Sequence, residues 1–203
     1  MFKEGIILYT TFDEYRIVKQ VGQGGNGTVF KATNSDGTIV AVKAIEKSKA
    51  TKDKLRRFKN EIEFCRKNKH KNIIEVLDNG TYQSENINSI FYVMPFYSKT
   101  LRDRIEIGLT PKDALEIFFN ILCGVEYAHK QNAFHRDIKP ENILFKENSN
   151  EAVLADFGIA HFCKDDLVTA VETNHADRLA NFQYAAPEQR IRNGNVDVNW
   201  VLS

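Results

Sequence analysis

Three glycines, Gly22, Gly24 and Gly27, sit between two runs that both favour β-structure, "YRIVKQV" before them and "TVFKAT" after. The G-x-G-x-x-G spacing lets a backbone approach a phosphate with no side chain in the way. In a dinucleotide-binding fold such glycines join a strand to a helix. Here the segment after them is strand-prone, which favours strand, loop, strand, with the loop lying over a ligand. Glycine-rich turns are common, and taken alone this one leaves an ordinary hairpin open.

The same strand-type alternation fills most of the first half of the chain. "SDG" at 35–37 is a turn signal before "TIVAVKAI", and "NIIEVLDNGTYQ" and "SIFYVMPF" read as two further strands around a polar loop. One helix interrupts them near 52–68, where Leu55, Phe58, Ile62 and Cys65 share a stripe. The second half reads mainly helical. "TPKDALEIFFNILCGVEYAHK" opens with Thr110 as N-cap and Pro111 at the first helical position. Its apolar positions 114, 115, 118, 119, 122 and 125 predict a well-buried helix. The segment Tyr97–Thr100 reads as a hinge between a strand-rich and a helical lobe.

Charge excludes some classes of partner. The formal net charge is +1, so the molecule as a whole makes no electrostatic case for nucleic acid or an acidic membrane. The lysine-rich run "KSKATKDKLRRFK" reads as a solvated helix face. No apolar run approaches membrane-spanning length, and the N-terminus does not read as a secretory signal. Cys65, Cys123 and Cys163 are widely spaced, which fits a reducing, cytoplasmic compartment.

Several polar residues stand where only chemistry explains them together. Alternation puts Lys43 on the same strand face as Ala41, and a lysine turned toward a lobe interior needs an anion. Viewed alone, it is an ordinary exposed strand lysine. Glu61 lies beside the Phe58/Ile62/Cys65 stripe, so Lys43 and Glu61 would satisfy each other and leave the ammonium aimed at phosphate. "HRDIKPEN" at 135–142 supplies Asp137, a candidate proton acceptor, Lys139, a candidate neutraliser of a transferring group, and Asn142. Asn142 and Asp156, the latter in "ADFGIA", are oxygen ligands suited to Mg²⁺.

In this order, "GQGGNGTV", "AVK", the Glu61 helix, "HRDIKPEN", "DFG" and "APE" at 186–188 resemble the eukaryotic-type protein kinase family from about Tyr15 to Glu188. The resemblance implies an α+β, bilobal protein-kinase-like fold over residues 15–203. The N-lobe would run to about residue 96 and the C-lobe from about 97, with residues 1–14 a short N-terminal extension. It also implies roles familiar from that family. Val21, Gly22, Gly24 and Gly27 would cover ATP. Lys43 would hold the α/β-phosphates and pair with Glu61, and Asp137 would take the substrate proton with Lys139 beside it. Asn142 and Asp156 would hold Mg²⁺. Met94 resembles the residue that gates the adenine pocket. The backbone of Pro95, Phe96 and Tyr97 would face the adenine edge, and Val29, Ala41 and Leu144 would sandwich the base. "DIKPEN" resembles serine/threonine kinases more than tyrosine kinases, so the expected partner is a protein substrate. Arg136 beside Asp137 implies a partner for phosphate on the activation segment, where Thr169 and Thr173 are the candidate acceptors.

The sequence also departs from the family. Asn26 stands at the loop tip where many kinases have an aromatic, and Asn181 where a threonine usually contacts the catalytic aspartate. After "APE" the chain reads only "QRIRNGNVDVNWVLS", without the D-x-W/Y-S-x-G helix of the family, since Asp197 and Trp200 are three apart. The expectation is a truncated C-lobe whose apolar helix at 111–131 self-associates or is covered by a partner. A non-catalytic kinase-like module that binds nucleotide or a protein partner is the alternative, and a small-molecule kinase is a third reading.

Overall fold

Alternation in the first half of the chain builds one antiparallel sheet. Its strands are β1 (Ile7–Tyr9), β2 (Glu14–Gly24), β3 (Gly27–Asn34), β4 (Ile39–Glu46), β5 (Asp78–Gln83) and β6 (Asn88–Pro95), in spatial order β1-β2-β3-β4-β6-β5. Helix α1 (Lys52–Lys67) joins β4 to β5, and it starts where Thr51 accepts a hydrogen bond from the Lys54 amide. This computed structural model describes residues 1–146, 149–157, 161–162 and 184.

Both faces of the sheet are buried, and the two-residue period sorts them. Val40, Val42 and Ala44 of β4 join Phe91 and Val93 of β6, with Leu8, Ile17 and Phe30, in one core. Ala41 and Ile45 join Ile90, Tyr92 and Met94 in another, against Phe58, Ile62 and Cys65 of α1. The first core exists because the sheet curls. Thr10 Oγ1 and Tyr15 OH both donate to Asp78 Oδ2, at 2.5 and 3.0 Å, and so draw the β1 edge to the β5 edge. Phe2 packs between Phe30 and Tyr82 at 5.3 Å from each ring. The segment 1–14, read from sequence as an extension, is therefore woven into this sheet and its core.

The strand expected from "NIIEVLDNGTYQ" begins only at Asp78. Ile73, Ile74 and Val76 are buried, but the start of this run docks elsewhere. The Ile74 amide donates to the Leu154 carbonyl and the Leu154 amide to that of Asn72, each at 2.9 Å.

Beyond β6 come β7 (Lys99–Thr100), α2 (Leu101–Ile107), α3 (Pro111–Lys130), β8 (Ala133–Phe134), a 3₁₀ turn at Pro140–Asn142, β9 (Ile143–Phe145), β10 (Ala152–Leu154) and β11 (His161–Phe162). Strands β10, β9 and β7 form one small sheet, and β11 and β8 another. Thr100 and Asp103 cap α2 reciprocally. Thr110 caps α3 by accepting from the Asp113 amide, with Pro111 in the first turn. Among the described residues no helix is long and apolar enough to cross a membrane.

The buried face of α3 differs from the expected one. Ile117, Gly124 and Ala128 are buried, whereas Leu115, Phe118, Phe119 and Leu122 are exposed. Gly124 sets the rotation of the helix: a Cβ there would lie 2.7 Å from the Asn72 carbonyl oxygen, an approach only glycine permits. Counting apolar positions along the helix does not reveal which glycine lets a neighbouring backbone in.

Candidate active site

The site forms where β4, α1, the loop after β8 and the residues after β10 converge. Lys43 lies opposite Val29 on β3 and Tyr92 on β6, in a strand buried along nearly its whole length. Its Nζ donates to Glu61 Oε1 and Oε2 and to Asp156 Oδ1, all at 3.0 Å. Glu61 reaches it from α1 and is 1% exposed. Tyr92 OH donates to Glu61 Oε1 at 3.0 Å, so the carboxylate has two separate partners.

The three charges are unequal in how firmly they are held. Burial opposes the charge on Lys43, but Asp156 and Glu61 outweigh it and keep its pKa well above that of a free lysine. Burial dominates at Glu61 and pushes its carboxyl up despite Lys43. Burial also acts on Asp156, yet Lys43 and the Asn26 amide overcome it and hold this carboxyl at about 2. Asp156 is thus the committed anion of the cluster, and Glu61 the group that yields first.

Asp137 is buried and tightly dressed. Lys139 Nζ donates to its Oδ2 at 2.7 Å, and Asn142 Nδ2 donates to the same oxygen at 3.0 Å and to the Asp137 carbonyl at 2.8 Å. The Asn142 amide nitrogen is committed to Asp137, which leaves its Oδ1 as the atom able to face a cation. The Ala155 amide donates to the Asn142 carbonyl at 2.9 Å, tying the Asp137 loop to the stretch that carries Asp156. His135 makes a second tie. Its Nε2 lies 2.9 Å from the Ala155 carbonyl oxygen, and its Nδ1 accepts from the Asp137 amide at 3.3 Å. The first contact requires an Nε2–H donor and the second a free Nδ1, so the pair fixes a neutral imidazole. Burial depresses its pKa, consistent with that state. Phe157 meets His135 edge-to-face, with ring centroids 4.6 Å apart, and lies tilted against Phe64 of α1 at 4.7 Å. Arg136 and Asp156 both have positive φ, 62° and 67°. Each such residue costs on the order of 1–3 kcal/mol, a cost these contacts offset.

The proposed base-binding residues border the core below β4. Ala41 pairs with Met94 across β4 and β6, both are buried, and Val29, Phe96, Tyr97 and Leu144 pack against the same cluster. Pro95 ends β6 and is half-buried. Val21 is 45% exposed and stands apart from this cluster. Only Gly27 of the three glycines is demanded by the protein itself: its φ is +134°, and a Cβ would lie 2.8 Å from the Ala44 carbonyl oxygen. A Cβ at Gly22 would make ordinary contact with Val29, and one at Gly24 would meet nothing within 4 Å. Those two positions leave an open backbone edge of the kind a phosphate can approach. Among the described residues no three His, Cys, Asp or Glu side chains cluster as a metal cage. Mg²⁺ needs none, because it is usually held by one or two carboxylates with water and phosphate oxygens. Lys43, Glu61 and Asp156 together carry a net negative charge, so the donor set fits a hard cation.

Sequence reasoning named most of this cluster but missed three contributors. Tyr92 follows the same alternation as Met94, a signal that could have found it. The Asn26–Asp156 and His135–Ala155 contacts are long-range and carry no local signal. Gly158, Thr169, Thr173, Asn181 and the "APE" at 186–188 lie outside the described residues. Tyr184 is described, and its OH accepts from Arg102 at 2.7 Å.

Comparison with known proteins points one way. The family model of the protein kinase domain matches residues 15–198. The chain is 35% identical over 153 residues to CBL-interacting protein kinase 26 of Oryza sativa subsp. japonica, covering 73% of this chain and 30% of that protein. It is 33% identical over 180 residues to a probable serine/threonine-protein kinase of Streptomyces coelicolor, covering 86% and 26%. With the probable serine/threonine-protein kinase PknB of Lactococcus lactis subsp. lactis it shares 30% identity over 183 residues, covering 87% and 28%. The chain thus spans less than a third of the length of each of these relatives.

Proposed function

Because the chain belongs to the protein kinase domain family, we propose that it transfers the γ-phosphoryl group of ATP to serine or threonine hydroxyls of protein substrates. The observation that carries this is the pairing of Lys43 with both Glu61 and Asp156, beside a buried Asp137 that Lys139 and Asn142 hold. In this reading Lys43, fixed in charge by its two carboxylates, holds the α/β-phosphates. The backbone of Gly22, Gly24 and Gly27 covers them, with Val21 at the loop's entrance. Val29, Ala41 and Leu144 sandwich the base, Met94 limits the depth of its slot, and the backbone of Pro95 to Tyr97 faces its edge. Asp156 and Asn142, through its Oδ1, would hold Mg²⁺, which when bound would neutralise phosphate oxygens.

Asp137 orients the substrate hydroxyl and accepts its proton. Its geometry suits that task, since Asn142 and the His135-anchored backbone fix the carboxylate in place. Lys139, 2.7 Å from Asp137 Oδ2, stands where it can meet charge on the transferring group. Catalysis of this kind is mostly position and charge, and the chain's own donors supply both. The preference for serine and threonine rests on Lys139 and on the class for which the Streptomyces and Lactococcus relatives are named. Cys65 and Cys123 are free thiols, which supports a reducing, cytoplasmic setting.

The test is incubation with Mg·ATP and a mixture of unstructured proteins, followed by mass spectrometry of the products. Phosphate on serine and threonine is expected. Nucleotide binding with no transfer, or phosphate confined to tyrosine, would overturn the proposal.

A further inference from the structure

The tip of the glycine-rich loop closes on the site. Gly24 pairs with Gly27, so Gly25 and Asn26 form the two-residue turn between β2 and β3. Gly25 is exposed, but Asn26 is half-buried. Its Nδ2 donates to Asp156 Oδ2 at 2.9 Å, across 130 positions of sequence. The orientation of the amide follows from chemistry: a carboxylate oxygen accepts, so the amide nitrogen faces it. The other oxygen, Oδ1, takes Lys43 at 3.0 Å. Both Asp156 oxygens therefore already have donors. The two donors are not equally fixed. Lys43 is anchored by both Glu61 oxygens, while Asn26 hangs from a turn with glycine on each side.

We propose that Asn26 is a latch that competes with the divalent cation for Asp156 Oδ2, so that loading of the metal–nucleotide requires release of the loop tip. The inference rests on reading this site as a nucleotide–metal site. A cation on Oδ2 draws on the lone pairs that now accept from Asn26 and repels the positively polarised amide N–H, so the two compete for that oxygen. Nucleotide without metal makes no claim on Oδ2 and leaves the latch indifferent. The latch also steadies Asp156 in its positive-φ conformation when no cation is present. Asn26 is thus a positioning residue that sets how much metal the site requires.

The experiment is calorimetric titration of ADP into the parent chain, Asn26→Ala and Asn26→Gln, each in excess EDTA and in saturating Mg²⁺. The readout is the factor by which Mg²⁺ tightens ADP binding. For Asn26→Ala this factor should rise about tenfold over the parent, the scale of one hydrogen bond to a charged group. Affinity in EDTA should stay within about twofold, as expected for a bond that metal-free nucleotide does not contest. Asn26→Gln retains an amide and should move the factor back toward the parent value. Loosening of the loop alone would change both conditions alike. An unchanged or smaller factor in Asn26→Ala would overturn the latch and leave the nucleotide site standing. A parent chain that binds no ADP in either condition would overturn the site and the latch together.

Discussion

Replacing Lys43 by methionine removes the cation that Glu61 and Asp156 share. Glu61 is almost fully buried, with Nζ within 3.0 Å of both its oxygens, and Asp156 shares the same ammonium. Breaking a buried ion pair from one side costs about 3–5 kcal/mol, because a charge is stranded. Against a domain stability of about 5–15 kcal/mol the variant should fold but melt early, and transfer should fall on the order of 10²-fold or more. The sign of the pH dependence separates this account from simple loss of packing. Burial already pushes the Glu61 carboxyl up, and without Lys43 it rises further. A carboxyl with a raised folded-state pKa favours folding when protonated, and that stability is lost as pH rises through the folded value. The variant should therefore regain ground on the parent as pH falls from 7.5 to 5.5. In the parent Asp156, held at about 2, contributes no slope over that window; without Lys43 its carboxyl also rises, which adds slope of the same sign. Urea unfolding of both proteins at the two pH values measures the gap, and Glu61→Gln added to Lys43→Met should close most of it without restoring transfer. A gap below about 1 kcal/mol at pH 7.5, or one that does not change with pH, would refute the stranded-charge account.

Asp156→Asn should abolish the Mg²⁺ enhancement of nucleotide binding, while Asp137→Asn leaves binding largely intact and removes transfer; equal affinity losses on titration would mean the two roles are misassigned. His135 is held neutral, with its pKa depressed by burial, so the stability it supports is complete above the unfolded value of 6.5 and declines as pH falls below it. His135→Phe should lower stability and flatten thermal melting between pH 7 and 5, and an unchanged slope would contradict the assignment. Gly27→Ala should cost more than about 1 kcal/mol because the residue is left-handed and abuts the Ala44 carbonyl. Gly24→Ala should leave the melt within about 0.5 kcal/mol yet weaken nucleotide binding, and equal melting losses would show that both glycines serve the fold.

Legibility in the sequence followed the range of the interaction. The strands and both long helices announce themselves through local period and caps, as at Thr110 and Pro111, and the Lys43–Glu61 pair follows from placing a carboxylate beside an apolar stripe. What escaped depends on distant partners. The three residues of β1 are too few for a period to register, and the run 73–77 is apolar enough for a strand although its start docks on Leu154. The rotation of α3 is set by a glycine against Asn72. In the site, the motif residues were readable by order and spacing. Their partners Asn26, Tyr92 and His135 were fixed only when the sheet, α1 and the Asp156 segment came together.

The convergence of Thr10 and Tyr15 on Asp78 has a consequence for how the protein behaves in company. An open sheet ends in two rows of unpaired amides and carbonyls, each a template for a foreign strand. Here one terminal strand is only three residues long and its corner is fastened to the opposite terminal strand. The sheet thereby guards its own margins. Cutting that fastening, for example with Asp78→Ala, would strip a buried acceptor from two hydroxyls and reopen both margins, so the first symptom should be fibril-like strand pairing between molecules in concentrated solution, ahead of any defect at Lys43.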